Sequence, residues 1–253
     1  MSAPEAAGAY TLPDYAGLEF PDPVPERPYV LLNMVISVDG KIVIEGTERG
    51  LGSPQDQHLM RALRTHADVV LNGAGTLRAS GSSPLVGDPA LEATRRARGR
   101  GAPVGAVISA SGALPLGDRF FTSREFEAIV FLAGAPGDRR EAIEATGRRV
   151  VDLPDGSPAQ QMRAMLRWMR DELDARVLLV EGGAQLNGEL LDAGLVDEVF
   201  ITVGGLIVGG HETRTAVSSA RAPSLDAVTR LDLVSAVPAF ALNEVYLRYR
   251  VAR

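Results

Sequence analysis

Apolar residues set the rhythm of this chain from Tyr29 onward. YVLLNMVIS (29–37) is an almost unbroken apolar run, the pattern of a strand buried on both faces. ADVVLNG (67–73), VGAVISA (104–110), EAIVFLA (127–133), RVLLVEGG (176–183) and VDEVFITVG (196–204) repeat that pattern. Helical spacing fills the gaps between them. SPQDQHLMRALRTHA (53–67) starts on Ser-Pro, a good cap followed by a good first helical residue, and spaces Leu59, Met60 and Leu63 along one face. SPAQQMRAMLRWMRDEL (157–173) does the same with Met162, Met165, Leu166 and Met169, which read as a packed helix face with Trp168 at a helix edge or an interface. GDRREAIEATG (137–147) and AQLNGELLDAG (184–194) read as helices stopped by glycine. LDLVSAV (231–237) and LNEVYLRYRVA (242–252) flank a proline-containing turn and read as a closing hairpin. This alternation predicts a three-layer α/β fold: a mainly parallel central sheet, helices on both faces and a C-terminal antiparallel strand pair.

Two stretches fall outside the pattern. Residues 1–28 hold six of the 16 prolines, so they form no regular element and read as an extended arm, disordered or draped over the body. ATRRARGRG (93–101) reads as a basic surface loop, with a mobile phosphate clamp as its alternative.

Composition narrows the function classes. A chain of 253 residues without cysteine has no disulfide scaffold, iron–sulfur cluster, thiolate zinc site or cysteine nucleophile. The three histidines, His58, His66 and His211, have no metal-ligand spacing; the first two fall on the 53–67 helix and read as structural. A net charge of −6 argues against a general nucleic-acid binder. No apolar run approaches about 18 residues, so no membrane span is expected. The first residues lack the basic and apolar regions of a signal peptide, which makes the cytoplasm the expected compartment.

Ligands of open parallel sheets bind beyond the carboxyl ends of strands. Four segments lie there. Ser37-Val38-Asp39-Gly40-Lys41 brings a carboxylate and an ammonium. Asn72-Gly73-Ala74-Gly75-Thr76 and Glu181-Gly182-Gly183-Ala184-Gln185-Leu186-Asn187 each run from a strand through glycines into a helix start, where backbone N–H groups attract anions. Ser109-Ala110-Ser111-Gly112 offers hydroxyls. Together they suggest a dinucleotide lying across the sheet.

In that order and spacing, with Arg64, Leu195-Val196-Asp197-Glu198-Val199 and Gly209-Gly210, these motifs resemble one family over residues 29–250. It is the reductase half of the riboflavin-pathway deaminase–reductase, which also exists as standalone chains. The resemblance implies a dihydrofolate-reductase-like fold, NADPH as hydride donor, a homodimer, and one reductase domain over 29–253. It implies as substrate a ribosylaminopyrimidine 5′-phosphate whose ribosyl group is reduced to ribityl. Carried over by residue, it assigns Val35, Gly50, Gly73, Gly75, Thr76, Ser80, Ser109, Ser111, Gly182, Gly183, Ala184, Gln185, Leu186 and Asn187 to the cofactor. It assigns Asn33, Glu48, Arg64 and Leu85 to the substrate, and Lys41, Asp39 and Glu181 to catalysis. Reducing an imine needs an acid near nitrogen; Lys41, or a water held by Asp39 or Glu181, is in position to supply it. Arg64 binds substrate oxygens or phosphate, or forms a helix-end ion pair.

The chain departs from the family on the substrate side. Ser80-Gly81-Ser82-Ser83-Pro84-Leu85 stands where an Asp-Asp-Pro stretch is usual, Asn72 where a small apolar residue is usual, and Gly205 where proline is usual. No cysteine set for a zinc deaminase half is present. Two alternatives therefore stand beside the riboflavin-pathway reading. One is another small-molecule NADPH reductase of the same fold, such as a dihydrofolate- or pterin-type enzyme that binds its ring through Asp39 or Glu181. The other is a catalytically silent NADP(H)-binding protein. Selection of the 2′-phosphate needs an arginine, for which Arg78 is the candidate.

Overall fold

A computed structural model describes residues 10–211, 213–219, 224–225 and 227–253. Nine strands form one sheet: β1 (Tyr29–Ser37), β2 (Val69–Gly73), β3 (Val104–Ser109), β4 (Ala128–Leu132), β5 (Arg149–Asp152), β6 (Val177–Val180), β7 (Glu198–Gly204), β8 (Leu231–Ala239) and β9 (Glu244–Val251). Their order is β5-β4-β3-β2-β6-β1-β7-β9-β8. All neighbours from β5 to β7 run parallel, and only β9 pairs antiparallel, with β7 and β8. The helices are α1 (Pro54–Arg64), α2 (Ala74–Ser80), α3 (Pro89–Ala97), α4 (Arg119–Thr122), α5 (Gly137–Glu144), α6 (Pro158–Leu173) and α7 (Ala184–Asp192).

Period-two alternation along the strands sorts the core into faces. On one face Val30, Leu32, Leu71, Leu178 and Val180 pack with Met162, Met165, Leu166 and Met169 of α6 and with Leu186 and Leu190 of α7. On the other, Tyr29, Leu31, Leu179 and Phe200 pack with Leu59, Ala62 and Leu63 of α1. Trp168 stands edge-on to Phe131 and carries the Arg149 guanidinium over its ring.

Several boundaries differ from the sequence reading. α1 ends at Arg64, so His66 lies beyond it rather than on it; the Thr65 and His66 N–H groups fold back onto Ala62 and Leu63 carbonyls. α4 and β5 are too short to show a period. Pro238 sits inside β8, not in the turn, and the turn is a short 3₁₀ segment, Phe240–Leu242.

The largest correction concerns 93–101. It is not a solvated loop: its first half is α3, capped by Asp88, and Arg95 is buried. Arg95 Nη1 donates to the carbonyls of Arg64, Thr65 and Ala67 at 2.9, 3.3 and 2.7 Å. Those groups follow the end of α1, where carbonyls lack helical partners. Arg98 reaches Thr65 Oγ1 and the Ala16 carbonyl, and Arg100 reaches the His66 carbonyl and Asp68. The arginine cluster staples the end of α1 to α3 and to the arm. The arm is draped from Tyr10 to Pro28: Tyr15 is buried edge-on to Phe200, and Arg27 grips Asp197 at 2.5 and 2.8 Å.

Candidate active site

Parallel neighbours β3, β2, β6, β1 and β7 bring their carboxyl ends to one edge of the sheet. A cleft of about 1210 Å³ runs along that edge. Single-ligand pockets hold about 300–1,000 Å³, so this one has room for a dinucleotide and a second small molecule.

Strand alternation divides the lining. Asn33 and Val35 share the face of β1 that carries Tyr29 and Leu31, the face α1 covers, and Glu181 continues the matching face of β6. α1 supplies Asp56, Gln57, Met60 and Arg64 to that side. The far side consists of Gly73, Gly75 and Thr76 after β2, Ser109 and Ser111 after β3, and Gly183 through Leu186 at the start of α7.

Space is tight around the glycines of the far side. A Cβ on Gly73 would lie 3.3 Å from the Gly183 nitrogen, and one on Gly183 would lie 3.1 Å from Thr76 Oγ1. Gly182 has φ +88° and abuts Met34 Sδ, so only glycine fits it without strain. The Gly182–Gly183 peptide is cis. Gly183 is the N-cap of α7 and offers no side-chain cap to the first N–H groups of the helix. Nearby, Ser109 Oγ accepts from the Gly112 N–H at 3.0 Å, and Arg78 lines the cleft while donating to the Ala113 carbonyl at 3.0 Å.

On the near side Arg64 and Glu181 form a two-point ion pair, Nε to Oε1 and Nη2 to Oε2, each at 2.7 Å. Arg64 Nη1 also donates to the Leu85 carbonyl at 2.7 Å. Burial works against the guanidinium charge, but the Glu181 carboxylate holds its pKa above the ordinary value. Of the alternatives for Arg64 the ion pair is the one present.

Lys41 lines the cleft, its Nζ 3.2 Å from the Thr213 carbonyl. Its backbone N–H donates to Ser37 Oγ and its carbonyl accepts from the Ser37 N–H, both at 2.9 Å. That loop sets where the ammonium points. It is also the one lysine among 26 basic residues.

Asp39 turns away from the cleft. Its Oδ1 accepts from Ser37 Oγ at 2.6 Å and Val208 N–H at 3.0 Å, and its Oδ2 from Gly209 N–H at 2.7 Å. The Ser37 bond, then the two backbone bonds, lower its pKa to about 2. It anchors the 205–210 loop. Three further expected contacts also lie outside the lining: Leu85, which offers its carbonyl to Arg64; Gly182, which backs Gly183; and Asn187. Asn187 is fully buried, and its Nδ2 donates to the Ala216 carbonyl at 2.8 Å.

Glu48, Gly50 and Ser80 do meet at the cleft, and the Ser80 hydroxyl donates to Glu48 Oε2. The 80–85 stretch has no acid of its own, yet Glu48 places a carboxylate beside it. Asn72 Nδ2 donates to Ser82 Oγ at 3.0 Å, which fixes the other end of that stretch.

Sequence reasoning missed several lining residues, among them Asp56, Met60, Arg119 and Arg214. Their loops and helix faces carry no motif. The singular lysine was a signal available from composition.

A family model described as the RibD C-terminal domain matches residues 28–239. The chain belongs to this family. A 2,5-diamino-6-ribosylamino-4(3H)-pyrimidinone 5′-phosphate reductase of Methanothermobacter thermautotrophicus is 29% identical over 214 residues, 82% of this chain and 91% of that one. A pyrimidine reductase-like protein of Corynebacterium diphtheriae superposes with a TM-score of 0.79 at 22% identity, covering 89% of this chain and 92% of that one. A deaminase/5-amino-6-(5-phosphoribosylamino)uracil reductase of Thermotoga maritima superposes with a TM-score of 0.66 at 22% identity, covering 89% of this chain and 57% of that one. As a RibD C-terminal domain, the chain carries the parallel sheet and antiparallel C-terminal pair that the motif order implied.

Proposed function

We propose that this chain is an NADPH-dependent reductase acting on a ribosylaminopyrimidine 5′-phosphate, converting its ribosyl group to ribityl. The observation that carries this reading is the single lysine held in the glycine-cradled cleft. The relatives' names supply the substrate class.

The close approaches at Gly73 and Gly183 pack the end of β2 and the start of α2 against the turn before α7, and the backbone N–H groups gathered there suit the pyrophosphate of a dinucleotide. Gly73, Gly75, Thr76 and the start of α7 would hold that part; Ser109, Ser111 and Arg78 would face the adenosine ribose. NADPH, when bound, supplies the hydride.

The protein contributes position and a proton. Once the ribosylamine opens, the C1′=N bond takes two electrons at carbon, and its nitrogen takes one proton. Lys41 holds that proton on Nζ; an ammonium can release it, whereas a guanidinium cannot at neutral pH. Asp39, with its pKa near 2, has no proton to give. Both oxygens of Glu181 are engaged by Arg64, so its part is to fix the cleft wall.

Two finer statements belong to the same reading. The chain is a homodimer: edge strand β8 leaves Leu231, Leu233 and Val234 exposed, an apolar edge of the kind proteins normally cover. Sedimentation showing only monomer would remove that part. Among the described residues no helix is long and apolar enough to cross a membrane, and the reading puts the enzyme in the cytoplasm.

Calorimetric titration with NADPH and NADH tests the cofactor half. Micromolar NADPH binding with much weaker NADH binding supports it. Binding of neither overturns it and leaves a fold without its cofactor.

A further inference from the structure

Asp56 is a cleft residue that the proposed reduction does not use. It stands on the first turn of α1 and lines the cleft with Asn33, Val35, Gln57 and Met60. Thr202 on β7 lies near its carboxylate, and Thr202 is paired in register with Val35 on β1. The sheet thus sets the carboxylate beside β1, whose Asn33 and Val35 line the cleft.

A first-turn acid ordinarily serves its own helix. Here that task is filled: Ser53 Oγ accepts from the N–H groups of Gln55 and Asp56 at 3.1 and 3.4 Å. No cation balances the charge among the described residues. The groups acting on it are Thr202 and the nearby Glu244 of β9, a second carboxylate. Glu244 is itself committed to the Ser53 N–H and hydroxyl and to the Tyr246 hydroxyl, so it offers Asp56 only repulsion. Burial and this neighbour raise the Asp56 pKa to about 6, although the nearby Thr202 side chain works the other way. Gly52 is bare beneath it, where a Cβ would collide with Oδ2. A carboxylate kept half-buried and uncompensated in a cleft is the mark of a binding group.

The two substrates named for relatives differ on one edge. The 2,5-diamino-4(3H)-pyrimidinone presents two adjacent donors, N3–H and the 2-amino group. The uracil presents N3–H beside the C2 carbonyl. A carboxylate accepts two parallel bonds from the first and meets a repelling oxygen on the second.

Resting on the reductase reading, we propose that Asp56 reads the N3–H/2-amino edge and makes this chain selective for the 2-amino pyrimidinone over the uracil. Sites built to pair a polar edge reject the mismatched analogue strongly, because a buried group is left unpaired.

The test measures kcat/KM on both ribosylamino substrates for wild type and Asp56→Asn. An Asn amide donates to a C2 carbonyl and accepts from N3–H, so the variant suits the uracil. Wild type is expected to favour the 2-amino substrate by roughly 100-fold or more, on the scale of a mismatched buried hydrogen-bonding edge. Asp56→Asn is expected to remove or invert that preference, mainly through KM, with NADPH affinity unchanged. Equal discrimination by both proteins, or a wild type that prefers the uracil, overturns the proposal. If no turnover occurs, the reductase reading fails by itself. Calorimetry with the free bases 2,5,6-triamino-4(3H)-pyrimidinone and 5,6-diaminouracil then decides the edge reading. Binding of the first alone, lost in Asp56→Asn, sustains it; equal binding, or none, sinks it.

Discussion

Arg64 and Glu181 meet through two bonds of 2.7 Å, on a helix end and a strand end 117 residues apart. The two side chains are 12% and 10% exposed, so each neutralises a charge that water reaches poorly. The pair joins α1 to β6 and, through the Leu85 carbonyl, fixes the segment before α3.

Breaking this pair strands a buried charge. Arg64→Ala and Glu181→Gln are each expected to lower stability by about 3 kcal/mol, the cost typical of removing one partner. Arg64→Met/Glu181→Met together should cost less than the sum. Denaturant unfolding of all three measures it; additive losses would show that the two residues act independently.

Asp56 sets a pH dependence of stability. Its pKa is about 6 in the fold against 3.8 for the free group, so the folded state binds the extra proton between those values. Stability therefore falls as pH rises from about 4 to about 6, then levels. Asp56→Asn should gain about 1–3 kcal/mol at pH 7.5, the free energy of such a shift after partial solvent screening. It should gain nothing near pH 4. Thermal melts at the two pH values check this, and an equal change at both would contradict it.

His66 sets the opposite slope. Its Nε2 bonds the Tyr15 carbonyl at 2.8 Å and its Nδ1 faces Arg98 at 3.3 Å, an arrangement suited to the neutral ring. Burial first, then Arg98, Arg100 and Arg95, lower its pKa to about 4 from 6.5, although the Tyr15 bond works the other way. The unfolded chain binds the extra proton in that window, so stability present above about pH 6.5 is lost as pH falls towards 4. His66→Gln should flatten this slope, and wild type should show faster proteolysis of its N-terminal arm at pH 4.5 than at pH 7.5. Arm cleavage independent of pH would count against it.

Gly183 has little room for a side chain: a Cβ there would stand only 3.1 Å from Thr76 Oγ1. Gly183→Val should weaken NADPH binding at least about tenfold, since a crowded backbone no longer approaches the phosphates. Unchanged calorimetric affinity would place the cofactor elsewhere.

Much of this was legible in the sequence because the relevant signals are local. The apolar runs of β1, β2, β3, β4, β6 and β7 and the Met162-Met165-Met169 stripe are short-range patterns, and each became an element or a core face. The glycines after β2 and β6 announce themselves by position. What stayed hidden depends on long-range contact. Arg95 looks like a surface residue until α3 folds against the carbonyls that follow α1. Asp56 looks like an ordinary first-turn acid until β7 brings Thr202 beside it. Asp39 reads as catalytic from its place after β1, but the N–H groups of Val208 and Gly209 claim it. The acid missing from residues 80–85 is matched in space by Glu48, which no spacing rule connects to Ser80.

The most direct measurement is NADPH oxidation with 2,5-diamino-6-ribosylamino-4(3H)-pyrimidinone 5′-phosphate, compared among wild type, Lys41→Met and Lys41→Arg. With Lys41 as the proton donor, both variants should bind NADPH normally and lose about 100-fold or more in kcat, the usual contribution of a positioned acid. Arginine should not rescue, because it keeps the charge but withholds the proton. A Lys41→Arg enzyme as fast as wild type, or a wild type inactive on this substrate while binding NADPH, would contradict the assignment.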